Sequence, residues 1–225
     1  MNLICVFKDY KVITRATFLF LCLSCLTVYL NNLRNKSFIN QVVLHNDLSN
    51  GSYSLNIDQV EKINHKYPSL AHNSIPIATL KSRYYMNEEY FSESNQLLNQ
   101  GINYHPFLSF SFYLKSILYI NQKKLIEAKN YIKEAYALQP NINIIAVLYI
   151  SLLAEAQDFS ELIMIKDDIM NSNDIQIWVY YLNAILETLD KNSSQDVEDI
   201  FQKAISVFPI NESINKLYYQ YKTLD

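Results

Sequence analysis

The chain has 225 residues, of which 50% are hydrophobic and 18% are charged, and its formal net charge is −3. That length accommodates one sizeable domain plus a targeting segment, and the apolar fraction favours a packed core over a disordered chain. Only two glycines are present, which argues against hairpin-rich β structure and against a glycine-rich phosphate-binding loop.

The charge is divided unevenly along the chain. Residues 1–36 carry a net charge of +4, and the remaining residues carry a net charge of −7. An acidic body argues against nucleic-acid binding, because neutralising phosphates requires a basic surface. A basic N-terminus is typical of a segment that inserts into a membrane. We therefore treat residues 1–11 as a basic tail that precedes such a segment.

An apolar segment follows the basic tail. Residues 16–30 contain no charge, and a helix over residues 12–30 would be roughly 28 Å long, close to the ~30 Å hydrocarbon core of a bilayer. We predict one transmembrane anchor at residues 12–31. A cleaved signal peptide and lipidation at Cys25 are the alternatives, although no small-residue cleavage motif follows the segment and the apolar run continues beyond Cys25.

The basic residues around this segment predict its orientation. Three precede it and two follow it, so the positive-inside tendency leaves the N-terminus in the cytoplasm. The prediction is a single-pass membrane protein whose body lies on the periplasmic or extracytoplasmic side. All three cysteines lie in or before the apolar segment, so the body has no disulfide framework and no thiolate metal site.

Between the anchor and the body, residues 32–56 are predicted to be a polar linker. Residues 46–52 read Asn-Asp-Leu-Ser-Asn-Gly-Ser, which is the composition of turns and loops. Residues 37–48 contain enough apolar positions for a short helix near the membrane.

From residue 57 onward, apolar residues recur with the 3.6-residue period of amphipathic helices. Pro68, Pro106, Pro140 and Pro209 are predicted to stop helices, and Asp158 with Glu161 reads as a capping box. The predicted helices are 57–67, 75–87, 90–103, 107–121, 125–138, 142–156, 158–170, 175–189, 196–207 and 212–221.

The residue pattern of positions 80–106 recurs 34 residues later. Leu-Lys-Ser at 80–82 recurs at 114–116. The other identical pairs are Tyr85 and Tyr119, Asn87 and Asn121, Glu93 and Glu127, and Pro106 and Pro140. A fixed period with preserved residue type predicts a solenoid, because each repeat buries its apolar face only by stacking on its neighbours. We expect residues 57–225 to be an all-α solenoid of helix hairpins.

These residues resemble the tetratricopeptide repeat (TPR), which places small residues where the helices of a hairpin cross and ends each repeat with Ala and Pro. The better-matching repeat has Phe112, Ser116, Tyr119, Leu125, Ala128, Ile132, Ala135 and Pro140. The preceding repeat has Ala78, Ser82, Tyr85, Phe91, Ser94, Leu98, Gly101 and Pro106. Lys81 and Lys115 replace the usual Leu before the small residue.

The resemblance is weaker elsewhere in the body. Residues 142–174 keep mainly Phe159, and the last repeat recovers Tyr181, Ala184, Phe201, Ala204 and Pro209. The resemblance implies a right-handed superhelical α-solenoid with a C-terminal capping helix, preceded by the N-terminal transmembrane helix.

The resemblance also implies a binding module that holds a peptide or a partner helix in a concave groove. The positions it places there are Thr79, Arg83, Met86, Asn87, Phe110, Tyr113, Ile117, Asn121, Val147 and Ser151. This surface is mainly apolar, which favours a hydrophobic or aromatic ligand, with Asn87 and Asn121 placed to bind a peptide backbone. The alternative is that Phe110, Tyr113 and Ile117 simply contact neighbouring helices.

Nothing in the residue pattern supports catalysis. The four histidines, His45, His65, His72 and His105, lie in predicted loops or at helix ends without a paired nucleophile or metal-ligand spacing. We predict that the chain is not an enzyme and has no cofactor or metal. We expect it to be a membrane-anchored scaffold for protein–protein contacts with an envelope-associated partner.

A second, looser resemblance supplies an alternative function. Residues 67–73, Tyr-Pro-Ser-Leu-Ala-His-Asn, are similar to repeat tails of Bacteroidetes-type cell-envelope proteins. Some of those tails follow the membrane domain of O-antigen-ligase-like enzymes. That resemblance implies an accessory subunit or a detached repeat tail in surface polysaccharide assembly, with no active-site residue in this chain.

Overall fold

The computed structural model describes residues 3–66, 69–71, 74–189 and 194–223, with side chains from residue 17 onward apart from 194 and 195. Pro68, His72 and the ends of the chain lie outside the described residues. The described part is helical, with one isolated β-bridge between Leu70 and Pro76. Its helices are α1 Leu3–Asn50, α2 Ile57–Glu61, α3 Ile77–Asn87, α4 Phe91–Tyr104, α5 Ser109–Asn121, α6 Leu125–Leu138, α7 Asn143–Glu155, α8 Phe159–Met164, α9 Lys166–Met170, α10 Ile175–Thr188, α11 Ser194–Val207 and α12 Glu212–Lys222.

The chain divides into two compact units, Met1–Leu80 and Lys81–Asp225. The first unit is dominated by α1, which contains the apolar segment and continues through residues 32–50, where the sequence predicted a polar linker. No Gly or Pro interrupts that stretch before Gly51. Gly51 has φ 64° and ends the helix, because glycine adopts the left-handed conformation of a helix C-terminus without steric cost.

The end of α1 is joined to α2 by side-chain hydrogen bonds. Asp47 is buried, and its carboxylate accepts hydrogen bonds from the Ser52 hydroxyl (3.1 Å) and from the backbone N–H of Ser54 (2.8 Å). Asn56 and Gln59 form a reciprocal capping box that begins α2. The helix predicted over 57–67 is therefore present only as far as Glu61.

The second unit is a series of antiparallel helix hairpins, which confirms the predicted α-solenoid. Helices α5 and α6 form one hairpin, α7 pairs with α8, and α10 pairs with α11, while α12 packs on α10 and α11. One apolar core runs through these helices from Ala128 to Tyr221, and its largest fully buried side chain is Trp178. Buried side chains on facing helices therefore hold successive hairpins together.

Two hairpins cross at small residues that are fully buried. In one hairpin the Ser94 hydroxyl donates a hydrogen bond to the backbone carbonyl of Ser82 (3.0 Å). In the next, the hydroxyl comes from the other helix, and Ser116 donates to the carbonyl of Ala128 (2.9 Å). All four residues are 0% exposed. The crossing therefore leaves no room for a larger side chain.

The lysine that replaces leucine beside this crossing is buried without an acidic partner. Lys115 is 5% exposed, and its ammonium group donates to Asn99 and lies 4.2 Å from the centre of the Tyr131 ring. Tyr131 is in turn stacked on Tyr119, with ring centroids 5.3 Å apart. A hydrogen bond and a cation–π contact thus stabilise the charge at a position where an apolar residue would need neither.

The turns between the two helices of each hairpin share an unusual backbone conformation. Glu89, Lys123 and Gln157, each 34 residues from the next, have φ values of 61°, 59° and 53°. The following residue closes the turn in each case, as when the N–H of Lys124 donates to the carbonyl of Tyr119 (2.9 Å). The chain thus makes this left-handed turn with long polar residues, where glycine is the unstrained choice.

We expect Lys123→Gly to stabilise the protein by about 0.5–1 kcal/mol. A side chain in the left-handed region costs ~1–2 kcal/mol, and glycine's greater freedom in the unfolded chain offsets part of the gain. Urea unfolding of the full chain in detergent, followed by fluorescence of the single tryptophan, measures the change. Lys124→Gly is the matched control, because Lys124 has φ −102° and gains nothing from glycine. Equal effects of the two substitutions would contradict the strained-turn interpretation.

The third hairpin departs from the pattern of the first two. The helix predicted over 158–170 is broken at Ile165 into α8 and α9. The first helices of successive hairpins begin at Ser109, Asn143 and Ile175, so this repeat is 32 residues long instead of 34. The side chain of Asp158 accepts from the N–H of Glu161 (3.2 Å), which is half of the predicted capping box. The Glu161 carboxylate does not return to the cap, because it accepts a 2.6 Å hydrogen bond from the Tyr149 hydroxyl.

Ion pairs join the second helices of neighbouring hairpins. The Lys129 ammonium lies 2.9 Å from the Asp158 carboxylate, and Lys133 pairs with Glu161. The hydrogen bond from Lys129 holds the pKa of Asp158 below its ordinary value. Burial raises the pKa of Glu161, but hydrogen bonds from Lys133 and Tyr149 outweigh it and leave that pKa lowered. Both carboxylates are therefore stabilised in the ionised form.

These lowered pKa values predict a loss of stability in acid. A carboxyl group whose pKa is lower in the folded state stabilises the fold above its unfolded pKa, which is about 4, and this contribution is lost as the pH falls through the folded pKa. We expect Lys129→Met to reduce stability by less than about 1 kcal/mol at pH 7 and to remove part of the pH dependence below pH 5. Urea midpoints measured from pH 7 to pH 3 test this. Parallel wild-type and variant curves would contradict it.

Candidate functional site

Three first helices in the second unit, α5, α7 and α10, each leave one stripe of side chains accessible to solvent. The other faces of these helices are buried against α4, α6, α8 and α12. The accessible positions repeat with the hairpins and fall on one face of each helix, spaced three or four residues apart. They are Phe110, Tyr113, Ile117 and Asn121 on α5, Ile144, Val147, Ser151 and Glu155 on α7, and Gln176, Val179, Asn183 and Glu187 on α10. We call these residues the first-helix stripe.

The chemistry of the first-helix stripe changes along the helices. Its apolar members lie in the first half of α5 and α7, where Ile144 is 55% exposed. The last member on each helix is polar or acidic: Asn121, Glu155 and Glu187. An exposed apolar band bordered by polar groups is the usual composition of a protein-binding surface.

On α5 the stripe residues also contribute to packing. The rings of Phe110 and Tyr113 are stacked, with centroids 6.1 Å apart, and both rings pack on the buried cluster of Leu98, Leu114 and Leu118. Burial raises the pKa of the Tyr113 hydroxyl, and the positive charge of Arg83 partly counteracts that effect. Tyr113 is thus a half-buried, neutral phenol that is held in place by its neighbours.

Solved structures share this arrangement of hairpins. YrrB, whose structure is described as that of "a TPR protein with an unusual peptide-binding site", has 14% sequence identity, with a TM-score of 0.51 over 83% of this chain and 94% of its own. A tetratricopeptide repeat protein from Parabacteroides merdae has 13% identity and a TM-score of 0.53, over 83% of this chain and 74% of its own. The fold is that of a TPR protein. No protein-family model matches this TPR chain, and no curated protein matches it.

The TPR fold places most of the predicted groove residues on accessible surface, but not those at the start of α3. Thr79 is 0% exposed and Arg83 is 8% exposed, since α3 is buried from Ile77 to Tyr84. Met86 is half-buried and Asn87 is exposed. We therefore leave Thr79 and Arg83 out of the first-helix stripe.

The two predicted residues on α7 are half-buried and lie one turn apart. The Ser151 hydroxyl donates to the carbonyl of Val147 within the same helix (2.8 Å), so its proton is already engaged. Its oxygen keeps acceptor capacity toward a ligand. This part of the stripe therefore offers apolar contact and one hydrogen-bond acceptor.

Sequence reasoning missed the α10 part of the stripe. A strict 34-residue period carries Val147 onto the buried residue Tyr181, whose hydroxyl donates to the carbonyl of Leu162 (2.9 Å). Because the third repeat is two residues short, the accessible equivalent is Val179. The available signal was Asp174, whose side chain accepts from the N–H of Gln176 (2.8 Å) and begins α10 two residues early.

The described residues give no positive sign of a metal or catalytic site. No group of three or more His, Cys, Asp or Glu side chains in the described part is arranged to hold a metal ion. His45, His65 and His105 are each partly exposed and lie far apart in the chain. The predicted absence of enzymatic activity stays a prediction.

One helix among the described residues is long and apolar enough to cross a membrane. It covers Thr17–Asn50, its most apolar window has a mean hydropathy of 1.3, and none of that window is buried. A signal sequence near the N-terminus has the same length and composition. Anchor and signal sequence therefore both fit this helix.

Proposed function

We propose that this TPR protein is a membrane-anchored scaffold that binds a protein partner along its first-helix stripe. The observation that carries the proposal is the repeated accessibility of equivalent positions on α5, α7 and α10, with apolar side chains at several of them. Side chains such as Ile144, Val147 and Val179 would be excluded from water by an extended peptide or an amphipathic helix laid across the three helices. The ligand class is thus an apolar or aromatic segment.

The stripe also disfavours one class of ligand. Its charged members, Glu155 and Glu187, are both acidic, and the positive side chain predicted to help bind a ligand, Arg83, is buried. An acidic peptide would therefore meet like charge on α7 and α10. YrrB, described as having a peptide-binding site, supports peptide recognition on this fold.

The proposed anchor rests on the exposed apolar surface of α1. The large apolar side chains from Phe18 to Leu30 are exposed on all sides of the helix, and no other described element covers them. A bilayer is the environment that buries such a surface completely. We place the TPR body on the extracytoplasmic side, following the basic residues that precede the segment.

We expect Ile144→Asp to abolish partner binding without unfolding the protein. Ile144 is 55% exposed, so the aspartate is solvated in the free protein, whereas in a complex it would be a buried and unpaired charge. Affinity capture from detergent-solubilised envelope membranes, with the tagged full chain as bait, measures the loss. A partner that wild type enriches should be reduced at least about tenfold in the variant.

Ile126→Asp is the matched control for this experiment. Ile126 lies on the second helix α6 and is 75% exposed, so the same substitution adds the same charge away from the stripe. The control should retain the partner. A partner lost equally in both variants, or retained in both, would contradict binding on the first-helix stripe.

The alternative role in surface polysaccharide assembly stays a prediction. It shares the membrane anchor and the repeats with the scaffold, and it differs in the partner, which would be a multi-span glycosyl-transfer enzyme. Identification of such an enzyme in the capture experiment would favour it over a general scaffold.

A further inference from the structure

A groove of about 790 Å³ lies in the first unit, between the middle of α1 and the segment that follows α2. One part of its wall is apolar, formed by Leu30, Leu33, Phe38, Ile63 and Ile77. The other part carries three basic side chains, Arg34, Lys36 and Lys62, and no acidic residue lines the groove. The groove thus combines a hydrocarbon-like surface with a concentrated positive charge.

The basic side chains of the groove are available to a ligand. Arg34, Lys36 and Lys62 are exposed, and the ion pairs among the described residues involve other lysines, all between Lys129 and Lys222. In the apolar part, Leu30, Leu33 and Phe38 are also exposed, Phe38 by 58%. Both halves of the groove therefore face solvent in the isolated chain.

The groove begins where the apolar run of α1 ends. Arg34 follows Leu30 by four residues, which is about 6 Å along a helix. If residues 12–31 span the bilayer, the apolar wall lies at the edge of the hydrocarbon and the basic residues lie at the level of the lipid head groups. Anionic head groups are the negative charges present at that depth.

We infer that this groove binds one anionic phospholipid, with its phosphate between Arg34, Lys36 and Lys62 and its acyl chains against Leu33 and Phe38. The volume is that of a ligand pocket, and the charge complements a phosphodiester. This inference rests on the proposed membrane anchor and is independent of the first-helix stripe. The bound lipid would fix α1 relative to the membrane surface.

Lipid binding to the purified full chain tests the inference. The detergent-solubilised protein is titrated with phosphatidylglycerol or phosphatidylcholine, and the bound lipid is counted by native mass spectrometry. Wild type should bind one phosphatidylglycerol in preference to phosphatidylcholine. Arg34→Gln, Lys36→Gln and Lys62→Gln should each weaken phosphatidylglycerol binding about fivefold, and the triple variant about 100-fold.

A triple variant of equal charge change is the control. Lys123→Gln, Lys203→Gln and Lys216→Gln alter exposed lysines of the second unit and should leave phosphatidylglycerol binding unchanged. Phe38→Asn should weaken binding of both lipids, because it removes an apolar contact and no charge. Equal phosphatidylglycerol binding by wild type and the groove variant, or equal loss in the control, would overturn the inference.

Two further measurements separate the possible failures. Inorganic phosphate in tenfold excess should not displace phosphatidylglycerol, since it offers nothing to the apolar wall, and full displacement would make the groove a phosphate site and overturn the lipid assignment. Alkaline carbonate extraction of membranes tests the anchor. A chain released by carbonate contradicts the anchor and the inference together, whereas a retained chain that binds both lipids alike contradicts only the lipid site.

Discussion

Trp178→Ala is expected to destabilise the TPR unit by about 3–5 kcal/mol, which is the usual loss for a buried aromatic residue in a close-packed core. Trp178 is 0% exposed and is the largest fully buried side chain of the described residues. Its indole N–H donates to the carbonyl of Ser172 (2.9 Å), and its ring meets Phe208 edge-on, with centroids 6.4 Å apart. It therefore connects α10 to the end of the third hairpin and to the end of α11.

The loss should be concentrated at the C-terminal end of the unit. In a repeat array each hairpin is stabilised mainly by its neighbours, so removing one contact between hairpins uncouples those on either side of it. Hydrogen exchange should show faster exchange in α10, α11 and α12 than in α5 and α6. Tyr180→Ala is the control, because Tyr180 lies two residues away on the same helix and is 48% exposed. Uniform acceleration across all helices would contradict this division.

Ser116→Leu and Ala128→Leu are each expected to destabilise the protein by about 1–3 kcal/mol. Both residues are 0% exposed at the crossing of α5 and α6, where the Ser116 hydroxyl lies 2.9 Å from the Ala128 carbonyl. The added leucine atoms would have to push the two helices apart or adopt an unfavourable rotamer. The urea midpoint of the full chain, read from Trp178 fluorescence, measures the change.

Ala137→Leu provides the comparison for overpacking. Ala137 lies on the same helix as Ala128 but is exposed, so leucine there meets no opposing helix and should leave stability within about 0.5 kcal/mol. Ser116→Ala separates the hydroxyl from the volume and should cost about 1 kcal/mol. Unchanged stability of both leucine variants would show that α5 and α6 cross elsewhere.

The parts of the fold that were predictable from the sequence are those set by short-range, repeated contacts. The 34-residue period places the same residue types in the same local environment, so α6 was predicted with the bounds that the structure shows, Leu125–Leu138. The small residues at the crossing followed from the same period. Residues distant in sequence contribute little to these features.

The parts that were not predictable depend on tertiary contacts or on a break in the period. The burial of Thr79 and Arg83 results from the packing of α3, which no spacing rule reveals. The break at Ile165 occurs without a Gly or Pro, and it shifts α10 by two residues relative to the repeat. That shift hid Val179 and its neighbours from a prediction based on period alone.

The most direct test of the first-helix stripe is site-specific photo-crosslinking in intact membranes. A photoreactive phenylalanine analogue replaces Ile144 on the stripe or Ile126 on the second helix, both exposed in the free chain. The proposed function predicts a discrete crosslinked protein from position 144 and none from position 126. Crosslinks from position 126 alone, or no crosslink from either position, would contradict a binding surface on the first helices.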